Sequence, residues 1–320
     1  MNIRWGMIGT GDVTERKSGP ALYLAERSEL IGVTNRTRKR AQRWSSRHGD
    51  PQVYDSAEAL LANAQINAVY VATPPSTHAE YTALAARAGK HVLCEKPMAM
   101  SVDECRQMIT VCHEHNVSLS IAFYRRYFPV VQKMKELVDA GAVGRVLRIS
   151  AKTIAPFSPP NAEPWRLDAA VAGGGFLMDM GTHRFDLFNY FVGSPSRVLG
   201  VVGTQSLDTV VDDVASVAME FADGVQGSAS FHWNCPVGRD ELEIVGTEGI
   251  LTTDSLSGAG RLTLETRAGR ELWALPSSMP VHLNLVQRVV DHLLDGAPNP
   301  CSGESGMVAS EMVEAIYQSQ

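Results

Sequence analysis

Five short runs of apolar and β-branched residues, separated by helix-forming stretches, constrain this chain more than any other feature. They are Ile3–Ile8, Leu30–Thr34, Ala68–Ala72, His91–Cys94 and Ser118–Ala122. Runs this short, largely apolar and bounded by turn residues, read as strands buried on both faces. Between them, Pro20–Glu26, Thr37–His48, Ala57–Asn63, His78–Ala88 and Val102–His115 read as helices. The alternation predicts a doubly wound parallel sheet over residues 1–122, because parallel neighbours need a crossover that a helix supplies. The pattern then changes. A helix near Phe128–Ala140 and a strand at Arg145–Thr153 lead through a Pro-rich loop to another helix, and from Arg197 strands follow one another. Asp223-Gly224 joins Ala215–Phe221 to Val225–Trp233 as a hairpin, and Ala268-Gly269 makes a second. Residues 123–320 are therefore expected to form an α+β domain with a large, mainly antiparallel sheet, ending in a helix from about Ser302 to Gln318.

Charge and cysteine usage exclude several classes of function. With 29 Lys and Arg against 35 Asp and Glu, the formal net charge of -6 gives no bulk attraction to nucleic acid or an anionic membrane. Cys94, Cys105, Cys112, Cys235 and Cys301 are odd in number and lack CxxC spacing, which suits reduced thiols in the cytoplasm. No apolar run approaches the roughly 18 residues of a membrane span. Met1 leads directly into a strand-like segment, so no signal peptide is expected.

Gly9-Thr10-Gly11-Asp12-Val13-Thr14 follows the first strand, where a turn that receives a dinucleotide should lie. Its glycines permit a tight turn and let backbone N–H groups approach a pyrophosphate, though Thr14 holds the third glycine position. At the end of the second strand, an NAD-selective sheet usually carries an acid that grips the ribose 2′-hydroxyl. Asn35-Arg36-Thr37-Arg38 stands there instead. Guanidinium and hydroxyl groups receive a 2′-phosphate, which favours NADP(H) over NAD(H). The same arginines also suit a solvated helix start. Lys96, at the end of the fourth strand, is either a catalytic cation or a surface charge.

Gly173-Gly-Gly opens a stretch in which Phe176, Leu177, Met180, Leu187 and Phe188 recur at helical spacing. Asp179 and His183, four apart on one helix, share a face. Such a pair serves as a surface hydrogen bond as readily as a catalytic unit. The glycines would let backbone or a flat ligand approach the helix start. A metal reading of Asp179, His183 and Asp186 lacks a further His/Asp cluster to complete a shell, so no metal is expected.

Gly9-x-Gly11, Ala72-Thr73-Pro74-Pro75-x-x-His78, Glu95-Lys96-Pro97 and Gly173-Gly-Gly-x-x-x-Asp179-x-Gly181-x-His183-x-x-Asp186 occur in that order. Together they resemble the glucose–fructose oxidoreductase/inositol dehydrogenase/rhizopine catabolism (Gfo/Idh/MocA) family over nearly the whole chain. The resemblance implies an N-terminal Rossmann domain, a C-terminal domain whose open sheet forms oligomer contacts, and a cleft between them. It implies that Lys96, Asp179 and His183 are catalytic. It further implies that Thr73, Pro74, His78, Glu95 and Lys96 join Gly9 to Val13 and Asn35 to Arg38 around the cofactor. Trp165 and Arg166 either close over the nicotinamide or substrate, or serve as packing. Tyr124-Arg125-Arg126 either reaches the cofactor or caps the linker. The implied function is an NADP(H)-dependent oxidoreductase interconverting hydroxyl and carbonyl on a sugar, cyclitol or related polyol, assembled as a homo-oligomer, a dimer or tetramer. A dinucleotide-sensing regulator and a nicotinamide-dependent glycoside hydrolase are the alternatives within the same family.

Overall fold

The computed structural model describes residues 1–157, 164–256 and 258–320; residues 158–163 of the expected Pro-rich loop lie outside them. These residues divide into two compact units.

The first unit comprises Met1–Tyr124 and Met279–Met307. Its chain runs β1 (Ile3–Ile8), α1 (Asp12–Arg16), α2 (Ala21–Leu24), β2 (Ser28–Thr34), α3 (Arg38–Ser45) and β3 (Gln52–Tyr54). It continues through α4 (Ala57–Leu61), β4 (Ala68–Val71), α5 (His78–Arg87), β5 (His91–Cys94), α6 (Val102–Glu114) and β6 (Leu119–Ile121). The strands form one parallel sheet in the order β3-β2-β1-β4-β5-β6. This is the expected doubly wound sheet, and its order reverses at β1, where such sheets bind ligands at the strand ends. Every residue of β4 is buried, as a strand covered on both faces requires. Ser56 and Ser101 cap α4 and α6, each accepting a bond from the N–H three residues on (3.2 Å).

Residues 279–307 pack with this first sheet, although the sequence alone placed everything after residue 122 in the second domain. They bring helix α10 (Leu283–Asp295) and the first residues of α11 (Gly303–Gln318). Helix α10 buries Leu285, Val286, Val289 and Val290 and packs on α2 and β1. Arg27 pairs with both Asp291 and Asp295. A helix whose apolar stripe matches a surface laid down more than two hundred residues earlier must return to it.

The second unit comprises Arg125–Ser278 and Val308–Gln320. It holds α7 (Pro129–Asp139), β7 (Val146–Ala155), α8 (Ala169–Ala172), a π-helical turn (Leu177–Gly181) and α9 (Thr182–Val192). Seven strands follow: β8 (Arg197–Gly203), β9 (Val214–Glu220), β10 (Gln226–Trp233), β11 (Arg239–Gly246), β12 (Gly249–Thr253), β13 (Gly260–Thr266) and β14 (Gly269–Leu275). With β7 they form an eight-stranded sheet, β14-β13-β12-β11-β7-β10-β9-β8, antiparallel except between β7 and β10. Both expected hairpins are present. Asp223 (φ 56°) and Gly224 (φ 75°) make the first turn in the left-handed region that a tight hairpin needs. Along β10, Gly227, Ala229, Phe231 and Trp233 face the core while the alternate residues face outward. Phe176 stacks on Trp233 (centroids 5.2 Å apart) and Phe185 meets Phe231 edge-on (5.8 Å), which seats the π turn and α9 on the inner face.

Candidate active site

In the first unit, the turn after β1 carries the features a dinucleotide needs. Gly9 has φ 101°, and a Cβ there would lie 2.3 Å from the carbonyl oxygen of Ala72. Only glycine fits. The hydroxyl of buried Thr10 has no hydrogen-bond partner among the described residues, an expense that a bound polar group would relieve. Gly11 begins α1 with no side-chain cap, leaving its N–H groups for a ligand. The residues present therefore fit a pyrophosphate. Thr14, at the third glycine position, turns its hydroxyl inward to Gly11 O (2.7 Å). Close packing is left to Gly19, where a Cβ would sit 2.2 Å from Thr14 O.

At the end of β2, Asn35 accepts a bond from Thr37 N (2.8 Å), while Arg36, Thr37 and Arg38 are exposed. Arg38 pairs with Asp55, an acid that stands beyond β3 rather than at the end of β2. Asp55 follows β3, whose three residues are too few and too exposed to stand out in sequence, yet β3 pairs with β2 and carries Asp55 beside the arginines.

The loops after β4 and β5 are tied together from behind. His78 is fully buried, with Nδ1 2.8 Å from Pro97 O and Nε2 2.8 Å from Thr73 O. Burial lowers its pKa against the upward pull of those two carbonyls. A neutral ring donates to only one of them, and what His78 supplies in either state is a link between Thr73-Pro74 and Glu95-Lys96-Pro97. Thr73 Oγ1 accepts from Thr77 (2.8 Å).

Glu95 is also buried, and its partners include His282, which the sequence reading missed. Oε1 accepts from His282 Nε2 (2.8 Å) and from the Tyr70 hydroxyl, and Oε2 accepts from the backbone N–H of Lys96 (3.2 Å). Burial pushes the Glu95 carboxyl up, but the charge and hydrogen bond of His282, the Tyr70 hydroxyl and the charge of Lys96 together hold it down to about 2. The carboxylate thus fixes the backbone from which half-buried Lys96 projects, and the Lys96–Pro97 peptide is cis. His282 lies just before α10, its ring tilted against that of Tyr124 (centroids 4.2 Å apart). No local pattern around Pro280 signals that a histidine there serves a strand end at Glu95.

In the second unit, the stretch from Gly173 is not the single α-helix expected. Leu177–Gly181 forms a π turn before α9 begins, and a π turn holds one more residue than an α turn. Asp179 lies in the π turn and His183 in α9, so the i, i+4 spacing that predicts a shared face does not describe them. Asp179 Oδ2 accepts from Arg166 (2.9 Å), whose guanidinium lies over the Trp165 ring (4.6 Å). His183 is buried.

The glycines answer to the unit's own backbone, as two of them show by how closely it packs around them. Gly173 (φ 81°) ends α8 in the left-handed conformation. A Cβ on Gly174 would meet the Tyr317 hydroxyl at 2.3 Å, and one on Gly175 the Asp212 carbonyl at 2.0 Å.

The remaining charged residues brace this helix. Asp186 is held by Arg126 through both carboxylate oxygens, with both side chains buried. Arg184 bonds Thr153 (3.0 Å) and pairs with Asp240, which Arg125 also contacts (3.3 Å). Arg125 and Arg126 are therefore anchors of the second unit, and Asp186 is an ion-pair partner. Among the described residues, no group of three His, Cys, Asp or Glu is placed to hold a metal, and no helix is long and apolar enough to cross a membrane.

The fold and these motifs have relatives. Residues 3–123 match an oxidoreductase family with a NAD-binding Rossmann fold, and residues 131–252 match the GFO/IDH/MocA C-terminal domain. An oxidoreductase of Formosa agariphila is 31% identical over 318 residues, covering 98% of this chain and 98% of its own. D-xylose 1-dehydrogenase (NADP(+)) 2 of Haloferax volcanii is 32% identical over 327 residues, covering 99% of this chain and 97% of its own. Among solved structures, the aldose–aldose oxidoreductase of Caulobacter crescentus, complexed with glycerol, has a TM-score of 0.89 at 25% identity, covering 100% of this chain and 97% of its own.

Proposed function

Because the chain belongs to the GFO/IDH/MocA family and is an NAD(P)-dependent oxidoreductase, we propose that it interconverts a hydroxyl and a carbonyl on a sugar, cyclitol or related polyol. Lys96, Asp179 and His183 are the proposed catalytic residues. The observation that carries this reading is their joint presence in a chain that aligns end to end with a D-xylose 1-dehydrogenase. A regulator that only senses a dinucleotide needs the cradle at Gly9 and Thr10 but no proton-transfer group.

When bound, the nicotinamide supplies or accepts the hydride. His183 exchanges the hydroxyl proton, the task to which an imidazole is suited near neutral pH. Lys96 steadies the oxygen while it carries negative charge, and Glu95 holds the Lys96 backbone in place. Asp179, braced by Arg166, accepts a hydrogen bond from a neighbouring substrate hydroxyl. The test is turnover with NADPH or NADP+ across D-xylose and other aldoses, ketoses, osones and cyclitols. No turnover on any of them would overturn the reading.

NADP(H) is the proposed cofactor, since no acid ends β2 and Arg36 is exposed there. Arg38 is already paired with Asp55, so Arg36 carries most of the preference. NADPH should bind about tenfold or more tightly than NADH, in keeping with one or two charge-assisted bonds. Arg36→Ala should remove most of that margin and leave NADH binding intact, while Arg38→Ala removes less. Fluorescence titration showing equal affinities in the unmodified protein contradicts the assignment.

A homo-oligomer, a dimer or tetramer, is proposed through the outward face of the eight-stranded sheet. Leu199, Val201 and Leu272 are exposed there beside the small side chains of Ser216, Ser228 and Ser230. Light scattering should report at least a dimer at micromolar concentration, and a monomer would refute it. The cysteines are all free thiols, four of them buried, which supports a cytoplasmic location.

A further inference from the structure

We propose that Asp212 is a positioning residue for the π turn and the helix α9 behind it, which carry Asp179 and His183, an inference that rests on the function proposed above. The first N–H groups of a helix have no partner within it, and something outside must receive them. Here one residue receives three in succession. Gly175 N–H donates to Asp212 Oδ1 (2.9 Å), Phe176 N–H to the Asp212 carbonyl (2.9 Å) and Leu177 N–H to Oδ2 (2.8 Å). A cap such as Ser56 is adjacent to its own helix and moves with it. Asp212 instead lies on the connection between β8 and β9, so it registers the helix start against the sheet.

Three further features make that register stiff. The Tyr317 hydroxyl donates to Asp212 Oδ1 (2.6 Å), which orients the carboxylate. Burial and the charge of Asp212 raise the pKa of that hydroxyl, keeping it a donor. Gly174 and Gly175 leave no room for a Cβ beside Tyr317 and Asp212, so the start of the turn cannot slide past them. The next residue, Asp213, is fully buried and receives the N–H groups of Gln205 (2.8 Å), Ser206 (2.6 Å) and Leu207 (2.6 Å). Of two adjacent acids, one folds the loop and the other passes its rigidity to the helix. Asp179 lies two residues beyond Leu177, inside the π turn, and a shift at the capped N–H groups is carried directly to it. A displacement of about 1 Å in a reacting geometry costs on the order of 100-fold in rate.

The test measures kcat per NADPH-binding site, KM and NADPH affinity, with NADP+ and D-xylose or the fastest substrate of the panel. It also follows amide exchange over residues 173–183. Asp212→Ala should lower kcat roughly 10- to 100-fold with NADPH affinity changed less than about twofold, and exchange at Gly175 to Leu177 should accelerate. Tyr317→Phe should cost only about threefold, since the backbone donors keep their acceptor. Should the alanine variant not fold, Asp212→Asn, which keeps one acceptor oxygen, should show an intermediate loss of kcat. Faster exchange with unchanged kcat per site would overturn the proposal and leave Asp212 a purely structural cap. His183→Ala run alongside separates the two ideas. If that variant keeps full activity, the proposed site and this inference both fall. If it is inactive while Asp212→Ala is not, this inference falls alone.

Discussion

Replacing His183 by alanine should lower kcat roughly 100- to 10,000-fold, the span of a lost general acid–base. NADPH affinity should barely change, because the groups that fit the dinucleotide, Gly9 and Thr10, belong to the other unit. Lys96→Met should also reduce kcat steeply, since the ammonium acts most strongly when the oxygen is anionic. Lys96→Arg should rescue little, as a broad planar fork does not replace a compact point charge. Asp179→Asn should chiefly raise KM, because the residue is read as a substrate ligand held by Arg166. Steady-state kinetics, with cofactor affinity measured separately by fluorescence, checks all four variants. Wild-type kcat in His183→Ala across the pH range would reduce His183 to a helix residue of the core.

The largest expected stability effect lies at His282. Removing one partner of a buried pair leaves an uncompensated charge and costs about 3–5 kcal/mol, and His282→Ala does this to Glu95. The pH dependence has a definite sign. In the unmodified protein the Glu95 carboxyl is depressed to about 2, so its contribution is present above the ordinary carboxylate value and is lost as pH falls toward 2. Without His282, burial becomes dominant and raises the carboxyl. The variant then loses stability as pH rises above the ordinary carboxylate value. The gap between the two proteins should be small near pH 2 and widen toward pH 7, as thermal or denaturant unfolding would show. Adding Glu95→Gln to His282→Ala should restore part of the loss, because a neutral amide is cheaper to bury than a carboxylate. Parallel pH dependence, or no recovery in the double variant, would mean that the pair contributes nothing.

The parts legible in the sequence share one property, that their cause is local. The parallel sheet could be read because strands buried on both faces are uninterrupted apolar runs, as β4 shows. Asp223-Gly224 was legible as a hairpin because positive φ has few sequence solutions. What could not be read depends on residues far away. The glycines at 174 and 175 answer to Asp212 and Tyr317, and Tyr317 itself is 105 positions from Asp212. His282 serves Glu95 across 187 positions. Helix α10 belongs to the first unit because its apolar stripe matches β1 and α2 rather than its sequence neighbours, which no local pattern signals. The π turn could not be inferred from spacing, because Asp179 and His183 are four apart in sequence whichever helix they occupy. Asp55 carries no local signal, because the strand that positions it is three residues long with none of them buried.

The central claim, that this chain moves a hydride between a nicotinamide and a carbon of a sugar-like substrate, is tested most directly by isotope transfer. The protein is given NADPH deuterated on the nicotinamide C4 face it uses, together with a keto sugar from the panel, and the product is analysed by mass spectrometry. One deuterium on the carbon that was the carbonyl, with one equivalent of NADP+ formed, is the predicted result. A product without deuterium, or a sugar altered with no net change in NADPH, would contradict it.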